Sequence, residues 1–571
     1  MDAGLTAVLR GSLERNSRRK RWLSMMQKIP REEGLDHAQE YALGLQKSFG
    51  LISFIRENRI DDVDEQEALS EALGDVLPID MHRKMFIPAL QLSMTADQLQ
   101  TWMPLALSYR ILGAYAQTEL GHGSNVQCLE TTATYDPRTH TFVLHSPTLT
   151  SRKWWPGALG KTANFAVVYA RLLHNSVDYG VHAFLVQLRD LATHATLPGI
   201  TLGDIGSKLA FNMVDNGFCV FDHVHVPASQ LCLATARVRW QRSHDDSGGP
   251  VNLVAAPAAS SKWKYMPMIK TRVFLIAKCA RFLGRATAFT SRLSAATSLL
   301  PHVGLSFAAT FAGRDLLELY ETVQLHRTKQ DRQPLDLGGG QTDQLAALLH
   351  ATSSGLKALV AARVVDGIEC CARQCPPNEE FLTRLRRDIV GASTYEGTFD
   401  VLVQQHASFL AKTRPQEGHA QMIVPLDKDW TSMATLVRWF HFRAHSMLMS
   451  FDTANVSMVR ATRLSVVHSE ATLLQALHAF LTQKRHQCTI TDVTATSLTA
   501  VGKALAYRWM VDSLHEFRVN GWLSSADGDE IVELLTSPTS QQCQEWMAVT
   551  ASWDFTPDEV PSTNRGLRGK L

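Results

Sequence analysis

The sequence predicts an α+β, mostly α-helical fold: an N-terminal helical domain, a central antiparallel β-domain and two C-terminal helical domains. Three observations predict it. Apolar residues recur at three- and four-residue spacing through the first hundred positions, the mark of amphipathic helices packing on one another. From Thr131 the period changes to alternation between turn residues. From about Lys262 the helical period returns and persists. Helices, then strands, then two runs of helices give segregated layers. The boundaries fall at 1–114, 115–250, 251–414 and 415–571.

The individual elements follow in order. SLERNSRRKRWLSMMQKI (Ser12–Ile29) reads as a helix whose basic patch is a solvated face. HAQEYALGLQKSFGLISFIREN (His37–Asn58) reads as an amphipathic helix, and Thr95 with Gln98 three residues on reads as a capping box. TTATYDPRTHTFVLHS (Thr131–Ser146) places β-rich arms around the turn Asp136-Pro137-Arg138-Thr139, and NFAVVYARLL, VHAFLVQLRD and GFCVFDHVHVP extend the β-domain. KYMPMIKTRVFLIAKCARFLGRATAFTSRL reads as one long helix. Further helices are expected near 305–330, 343–372, 398–412, 430–460, 462–485 and 492–523.

Composition narrows the function. A chain of 571 residues, 45% hydrophobic and 20% charged, holds two to four domains with substantial cores. A formal charge of +2 gives no reason to expect nucleic acid or a membrane as partner. Nine cysteines without framework spacing point to reduced thiols in an intracellular compartment. No apolar run reaches bilayer-spanning length and no h-region stands at the N-terminus, so synthesis and folding in the cytosol are expected.

The chemistry concentrates between Tyr115 and Thr162. YAQTELGHGSN (Tyr115–Asn125) and KWWPGALGKT (Lys153–Thr162) are Gly-rich, polar-tipped loops separated by an extended hairpin. Glycines let backbone N–H groups approach a ligand and aromatics give it a wall, which suits a flat, partly polar cofactor. Both motifs, the LETTATYDPRTHTFVLHSPT between them, VHAFLVQ (Val181–Gln187) and LPGITLGDIGSK (Leu197–Lys208) closely resemble the flavin-binding acyl-CoA oxidases of peroxisomes. Related blocks recur from about residue 5 to residue 565.

The resemblance implies FAD as cofactor, a fatty acyl-CoA and molecular oxygen as substrates, and a homodimer, while the cysteine spacing and the lack of an HExxH pattern give no metal site. It assigns Thr118 and Gly157 to the flavin. It assigns the catalytic base to Glu396, in STYEGTFDVLVQQHASFLAK, at the opening of a helix. A carboxylate facing apolar substrate is desolvated, which raises its pKa, while a helix N-terminus opposes that shift. Without the resemblance, Glu396 is a first-turn glutamate answering a helix dipole, Thr118 a strand-end or cap residue, and Gly157 a turn glycine. The C-terminal Gly569-Lys570-Leu571 resembles the peroxisomal import tripeptide with Gly for Ser, and stands equally as a coincidence.

Other features have plainer readings. GALGKT lacks the first P-loop glycine, a position held by Trp155, so Lys161 is no nucleotide lysine. Cys370, Cys371 and Cys375 lack zinc spacing and read as buried thiols. The glycines at 338–340 read as a flexible loop, and His122 as a residue shaping its own. The chain also departs from the resembled family. After GIEC it reads CARQCPPNEEFLTRLRRDIV in place of a Cys-Gly-Gly-His-Gly-Tyr segment, Thr297-Ser298-Leu299 replaces Arg-Arg-Gln, and Thr398-Phe399 replaces Glu-Asn. Two function classes therefore stand: an oxidase forming trans-2-enoyl-CoA and hydrogen peroxide, or a catalytically silent subunit or acyl-CoA-binding scaffold of the same fold. A dehydrogenase passing its electrons to a flavoprotein is a third reading.

Overall fold

The computed structural model describes residues 2–26, 29, 34–73, 76–236, 238–242, 251–255, 266–294, 296–332, 339–375, 380–414, 424–453, 456–484, 490–538, 545–546, 548–557 and 559–561. The chain divides into two compact units, one of residues 26–268 and one joining 1–25 to 269–571.

The unit of residues 26–268 opens with helices. These follow α1 (Ala3–Arg10) and α2 (Leu13–Met25) of the other unit, and are α3 (His37–Glu57), α4 (Val63–Ala72), α5 (Pro78–Met81), α6 (Ile87–Ser93) and α7 (Ala96–Leu107). Thr95 and Gln98 close a capping box on α7, as the sequence predicts, and Asp36 with Gln39 closes another on α3 that the sequence reading did not single out. Between α5 and α6 a π-helical turn carries the buried His82. Its Nε2 bonds the Ala106 carbonyl at 3.0 Å and its Nδ1 accepts from Gly113 N at 3.0 Å, which fixes where the first strand starts.

Nine strands form the two sheets that follow: β1 (Gly113–Ala116), β2 (Thr132–Asp136), β3 (Thr141–His145), β4 (Lys153–Trp154), β5 (Phe165–His174), β6 (Val177–Gln187), β7 (Ile200–Asp204), β8 (Gly217–Phe221) and β9 (Val224–Pro227). The larger sheet runs β1-β5-β2-β3-β9 with β6 on β5, and a smaller one runs β4-β8-β7. β10 (Val238–Arg242) and β11 (Val251–Ala255) form a separate antiparallel pair. The expected hairpin is present, with β2 and β3 joined across the Asp136–Thr139 turn. The sheet is not uniformly antiparallel, because β1 and β2 both run parallel to β5. Parallel neighbours need a long crossover, and the 117–164 segment supplies one. β1 pairs with residues 165–168 of β5 and β2 with residues 171–173, so the two lie end to end along one edge of β5. The loop carrying the first motif therefore leaves and re-enters the sheet at a gap in that edge.

The other unit is helical. α8 (Met266–Thr290), α9 (Leu300–Arg332), α10 (Gly339–Arg373), α11 (Glu380–Val390) and α12 (Phe399–Thr413) lead to α13 (Met433–Met449), α14 (Met458–Ala479), α15 (Asp492–Asp512), α16 (Leu514–Val519) and α17 (Ser525–Thr536). The expected 430–460 helix is split, because the chain leaves α13 at Ser450 and restarts α14 under the N-cap Ser457. Of the glycines expected to form a flexible loop, Gly339 and Gly340 start α10 instead, and Gly338 lies outside the described residues. α10 also qualifies the expectation that no segment can span a bilayer: Gly340–Arg373 is long and apolar enough, though 67% of its most apolar window is buried inside the unit, as in a core helix.

The basic α2 is not simply a solvated face. Arg19 is buried, pairs with Glu559 at 2.5 Å and donates to the Asp554 carbonyl at 2.8 Å, while Lys20 pairs with Asp554 at 2.5 Å. Asp2 caps α1 and accepts from Thr491 N at 2.8 Å. Burial pushes the Glu559 carboxyl up, but Arg10 and Arg19 outweigh it and hold the group below its usual range. The start of the chain is thus tied by charge to its far end.

Candidate active site

The gap in the β5 edge is filled by a buried ion pair. Glu119, in the first motif, and Lys153, opening the second, meet at 3.0 Å with both side chains fully removed from solvent. Lys153 Nζ also donates to the Tyr169 carbonyl at 2.6 Å and to the Gln117 carbonyl at 3.2 Å, so it stands where a strand neighbour is missing. Glu119 accepts from Thr131 N, Thr131 Oγ1 and Glu130 N at 2.9, 2.5 and 2.8 Å, and His122 Nδ1 lies 3.1 Å from it. A buried pair persists only when its remaining donors and acceptors are met, and here they are. Burial pushes the Lys153 amine down to about 8 against the pull of Glu119. Burial raises the Glu119 carboxyl, yet Lys153 and the hydrogen bonds hold it below its ordinary value.

This pair clamps the two loops together. Thr118 is half-buried, donates from Oγ1 to the Trp154 carbonyl at 2.9 Å and accepts Trp154 N on its own carbonyl at 3.1 Å. Just beyond, Trp155 at φ 84° and Ala158 at φ 66° take left-handed backbone around Pro156-Gly157. Such conformations cost of order 1–3 kcal/mol each and persist where the surroundings impose them. Trp155 N is held by the Gly217 carbonyl at 3.0 Å and Gly217 N by the Pro156 carbonyl at 3.0 Å, leaving the Trp155 side chain 40% exposed. A Cβ at Gly157 would stand 2.6 Å from Met81 Cγ, so glycine is required there by packing. The end of the motif is anchored on buried Asp215, which accepts from Lys161 N at 2.6 Å and Thr162 N at 2.7 Å. Lys161 Nζ pairs with Asp204 at 3.1 Å, which gives that lysine a structural partner.

In the helical unit, Glu396 occupies a turn ahead of α12. The N-cap is Thr398 and the acidic residue of the first turn is Asp400, so Glu396 precedes the helix and does not open it. Its φ is 59° and that of Gly397 is 108°. Two cations hold this strained corner. Arg272 Nε of α8 donates to the Glu396 carbonyl at 2.8 Å, and Lys357 Nζ of α10 donates to the Gly397 carbonyl at 2.7 Å. Arg272 is steadied by Ser354 Oγ at 3.0 Å, and both cations are buried. Burial pushes the Glu396 carboxyl up to about 7, while Arg272 and then Lys357 pull it down. The opposing influence is therefore two side-chain cations, not the helix terminus expected from the sequence. Burial takes Lys357 down to about 8 and Arg272 to about 10.

Residues 3–112 match the family model described as acyl-coenzyme A oxidase N-terminal, and residues 293–411 match acyl-CoA oxidase, C-alpha1 domain. Peroxisomal acyl-coenzyme A oxidase 1 of Arabidopsis thaliana is 38% identical over 393 residues, a match covering 63% of this chain and 56% of that protein. The solved structure of Arabidopsis thaliana acyl-CoA oxidase 1 superposes with a TM-score of 0.84 at 28% identity, covering 97% of this chain and 90% of that one. The chain belongs to the acyl-CoA oxidase family. A further solved member, acyl-CoA oxidase-1 of Caenorhabditis elegans complexed with FAD and ATP, gives a TM-score of 0.80 at 26% identity, covering 97% of this chain and 89% of that one. By sequence match the chain spans less than two-thirds of the length of the plant relative.

Within this acyl-CoA oxidase family member, Thr118 and Gly157 lie on loops joined by the Glu119–Lys153 pair, and Glu396 lies in the other compact unit. Sequence reasoning missed Glu119 and Lys153, although an acidic and a basic residue inside two adjoining motifs were a visible signal. It also missed Arg272 and Lys357, which sit mid-helix where a cation ordinarily reads as surface. The departures from the family have local structure of their own. Thr297–Leu299 forms a 3₁₀ turn leading into α9, and Cys370 and Cys371 are buried at the end of α10 with Cys375 half-buried beyond. The seven described cysteines form no disulfide.

Proposed function

We propose that this chain is an acyl-CoA oxidase, converting a fatty acyl-CoA to the trans-2-enoyl-CoA with reduction of oxygen to hydrogen peroxide. The observation that carries the reading is Glu396, a carboxylate in a left-handed turn whose pKa is pushed up to about 7 between two buried cations. A general base works best with its pKa near the operating pH, and perturbed carboxylates cluster at functional sites. In this reading Glu396 takes the proton from the carbon beside the thioester.

Thr118 and Gly157 would hold FAD, a group with which the C. elegans relative is complexed. The residues fit a flavin: the Thr118 oxygen keeps acceptor capacity, the missing Cβ at Gly157 keeps the loop low, and the exposed Trp155 face offers an aromatic wall. FAD would supply the hydride acceptor and its reoxidation by oxygen. The Glu119–Lys153 clamp would set the distance between the two loops, and the Trp155–Ala158 backbone would orient the ring's neighbours.

The reading includes peroxisomal fatty-acid β-oxidation as setting, in line with the relative's name, and a homodimer as the assembled form. The tripeptide Gly569-Lys570-Leu571, proposed as import signal, lies outside the described residues. The test is stoichiometric. Purified protein supplied with FAD, a long-chain acyl-CoA and air should form enoyl-CoA and hydrogen peroxide in equal amounts. Enoyl-CoA formed only with an added electron acceptor, and without peroxide, would make the protein a dehydrogenase instead.

A further inference from the structure

We propose that His145, Asp222 and His223 form a surface site for one divalent transition-metal cation of the zinc, nickel or copper class. The three residues converge from different places in the chain. His145 ends β3, and Asp222 with His223 forms the corner between β8 and β9. One potential ligand atom from each lies within 4.8 Å of the other two. His223 Nδ1 stands 2.7 Å and His145 Nδ1 3.8 Å from the same oxygen, Asp222 Oδ1. Tetrahedral zinc with ligand bonds of about 2.0–2.1 Å keeps its ligand atoms roughly 3.3 Å apart, so these separations bracket the required spacing.

The backbone beneath the cluster is fixed before any ion arrives. The β3–β9 ladder pairs Leu144 with Val224, which sets His145 and His223 at the open end of the same ladder. Ser146 N donates to the Phe221 carbonyl at 2.8 Å and Phe221 N to Ser146 Oγ at 3.2 Å, binding the end of β3 to the end of β8 on the other side. Asp222 N is held by the Gly199 carbonyl at 2.8 Å. His223 adopts φ 51°, a left-handed corner that turns its ring over His145, with ring centroids 4.1 Å apart and an interplanar angle of 26°.

A second observation points to a ligand. His145 Nδ1 is closed off from solvent and has no hydrogen-bond partner, a condition that normally costs free energy. A cation held at the ring edges, beside Asp222 Oδ1, would meet it. Two imidazole nitrogens and one carboxylate oxygen favour zinc, nickel or copper over magnesium or calcium, which take oxygen donors. Asp222 and His223 are largely exposed, so water fills the remaining coordination positions. Bound there, the ion would fasten the end of β3 to the β8–β9 corner.

The experiment uses tag-free full-length protein, stripped with chelator and dialysed against zinc chloride, with His145→Gln and His223→Asn singly and together. Asn tolerates the left-handed corner, and circular dichroism with FAD content checks that each variant folds. One zinc should bind per chain, and each single variant, which removes a direct ligand, should weaken binding by at least the roughly 10–100-fold that loss of a ligand's outer-shell partner causes. Copper bound to the parent protein should show two nitrogen ligands by electron paramagnetic resonance and one in either single variant. Zinc should raise the thermal midpoint of the parent protein and leave the double variant unmoved. The proposal is overturned if the folded parent takes up no stoichiometric zinc, or if the folded double variant binds zinc as tightly as the parent.

Discussion

Acidification should switch the protein off by protonating Glu396, and removing Lys357 should move that limb upward. With the carboxyl at about 7, the ionised fraction falls from about nine-tenths at pH 8 to about a tenth at pH 6 and about a hundredth at pH 5. The sign follows from the base needing its charged form, so kcat/KM is retained above pH 7 and lost below it. Lys357 is one of the two cations pulling this pKa down, and an opposite charge nearby is worth about 1–3 units. In Lys357→Met the limb should therefore rise by about one unit or more, cutting kcat/KM about fivefold at pH 7 and less than twofold at pH 9. Lys357 itself loses its proton above about 8, where Glu396 is already ionised, so the parent profile keeps its plateau. The assay is peroxide release against pH at subsaturating acyl-CoA. An acidic limb at the ordinary carboxylate value, or a variant depressed equally at every pH, would refute the reasoning.

Other perturbations separate fold from chemistry. Glu396→Gln should leave flavin content nearly intact and abolish turnover, and unchanged peroxide production would remove the residue from its role. Gly157→Trp should lower bound FAD, measured by absorbance after desalting, because even a Cβ there meets Met81 at 2.6 Å. Lys153→Met strands the buried Glu119 carboxylate and should cost about 3–5 kcal/mol, read as a fall in the urea midpoint, with Glu119→Gln restoring part of it in the double variant. Arg19→Met should lower the thermal midpoint by leaving Glu559 short of a partner, and a midpoint unchanged from the parent would mean the termini are not joined by that pair.

What was legible in the sequence is what short range controls. The Thr95–Gln98 box and the Asp136–Thr139 turn depend on neighbours within four residues, and both stand as expected. The burial of Arg19 depends on Glu559, 540 residues away, and no local pattern separates such an arginine from a solvated one. β1 and β2 sharing one edge of β5 is a matter of topology, so the gap that Lys153 fills could not be read from strand patterns alone. The motif around Glu396 was recognisable, but its left-handed φ and its place ahead of the N-cap come from Arg272 and Lys357 gripping two successive carbonyls. Residue type located the candidate base; packing set its pKa.

The most direct test of the central claim is an anaerobic titration of the flavin-loaded protein with a long-chain acyl-CoA, followed by its absorption band, run beside Glu396→Gln. The account predicts bleaching in the parent, recovery with peroxide on admitting air, and no bleaching in the variant. A flavin-loaded parent that is never bleached, or a variant that bleaches as fast as the parent, would contradict it.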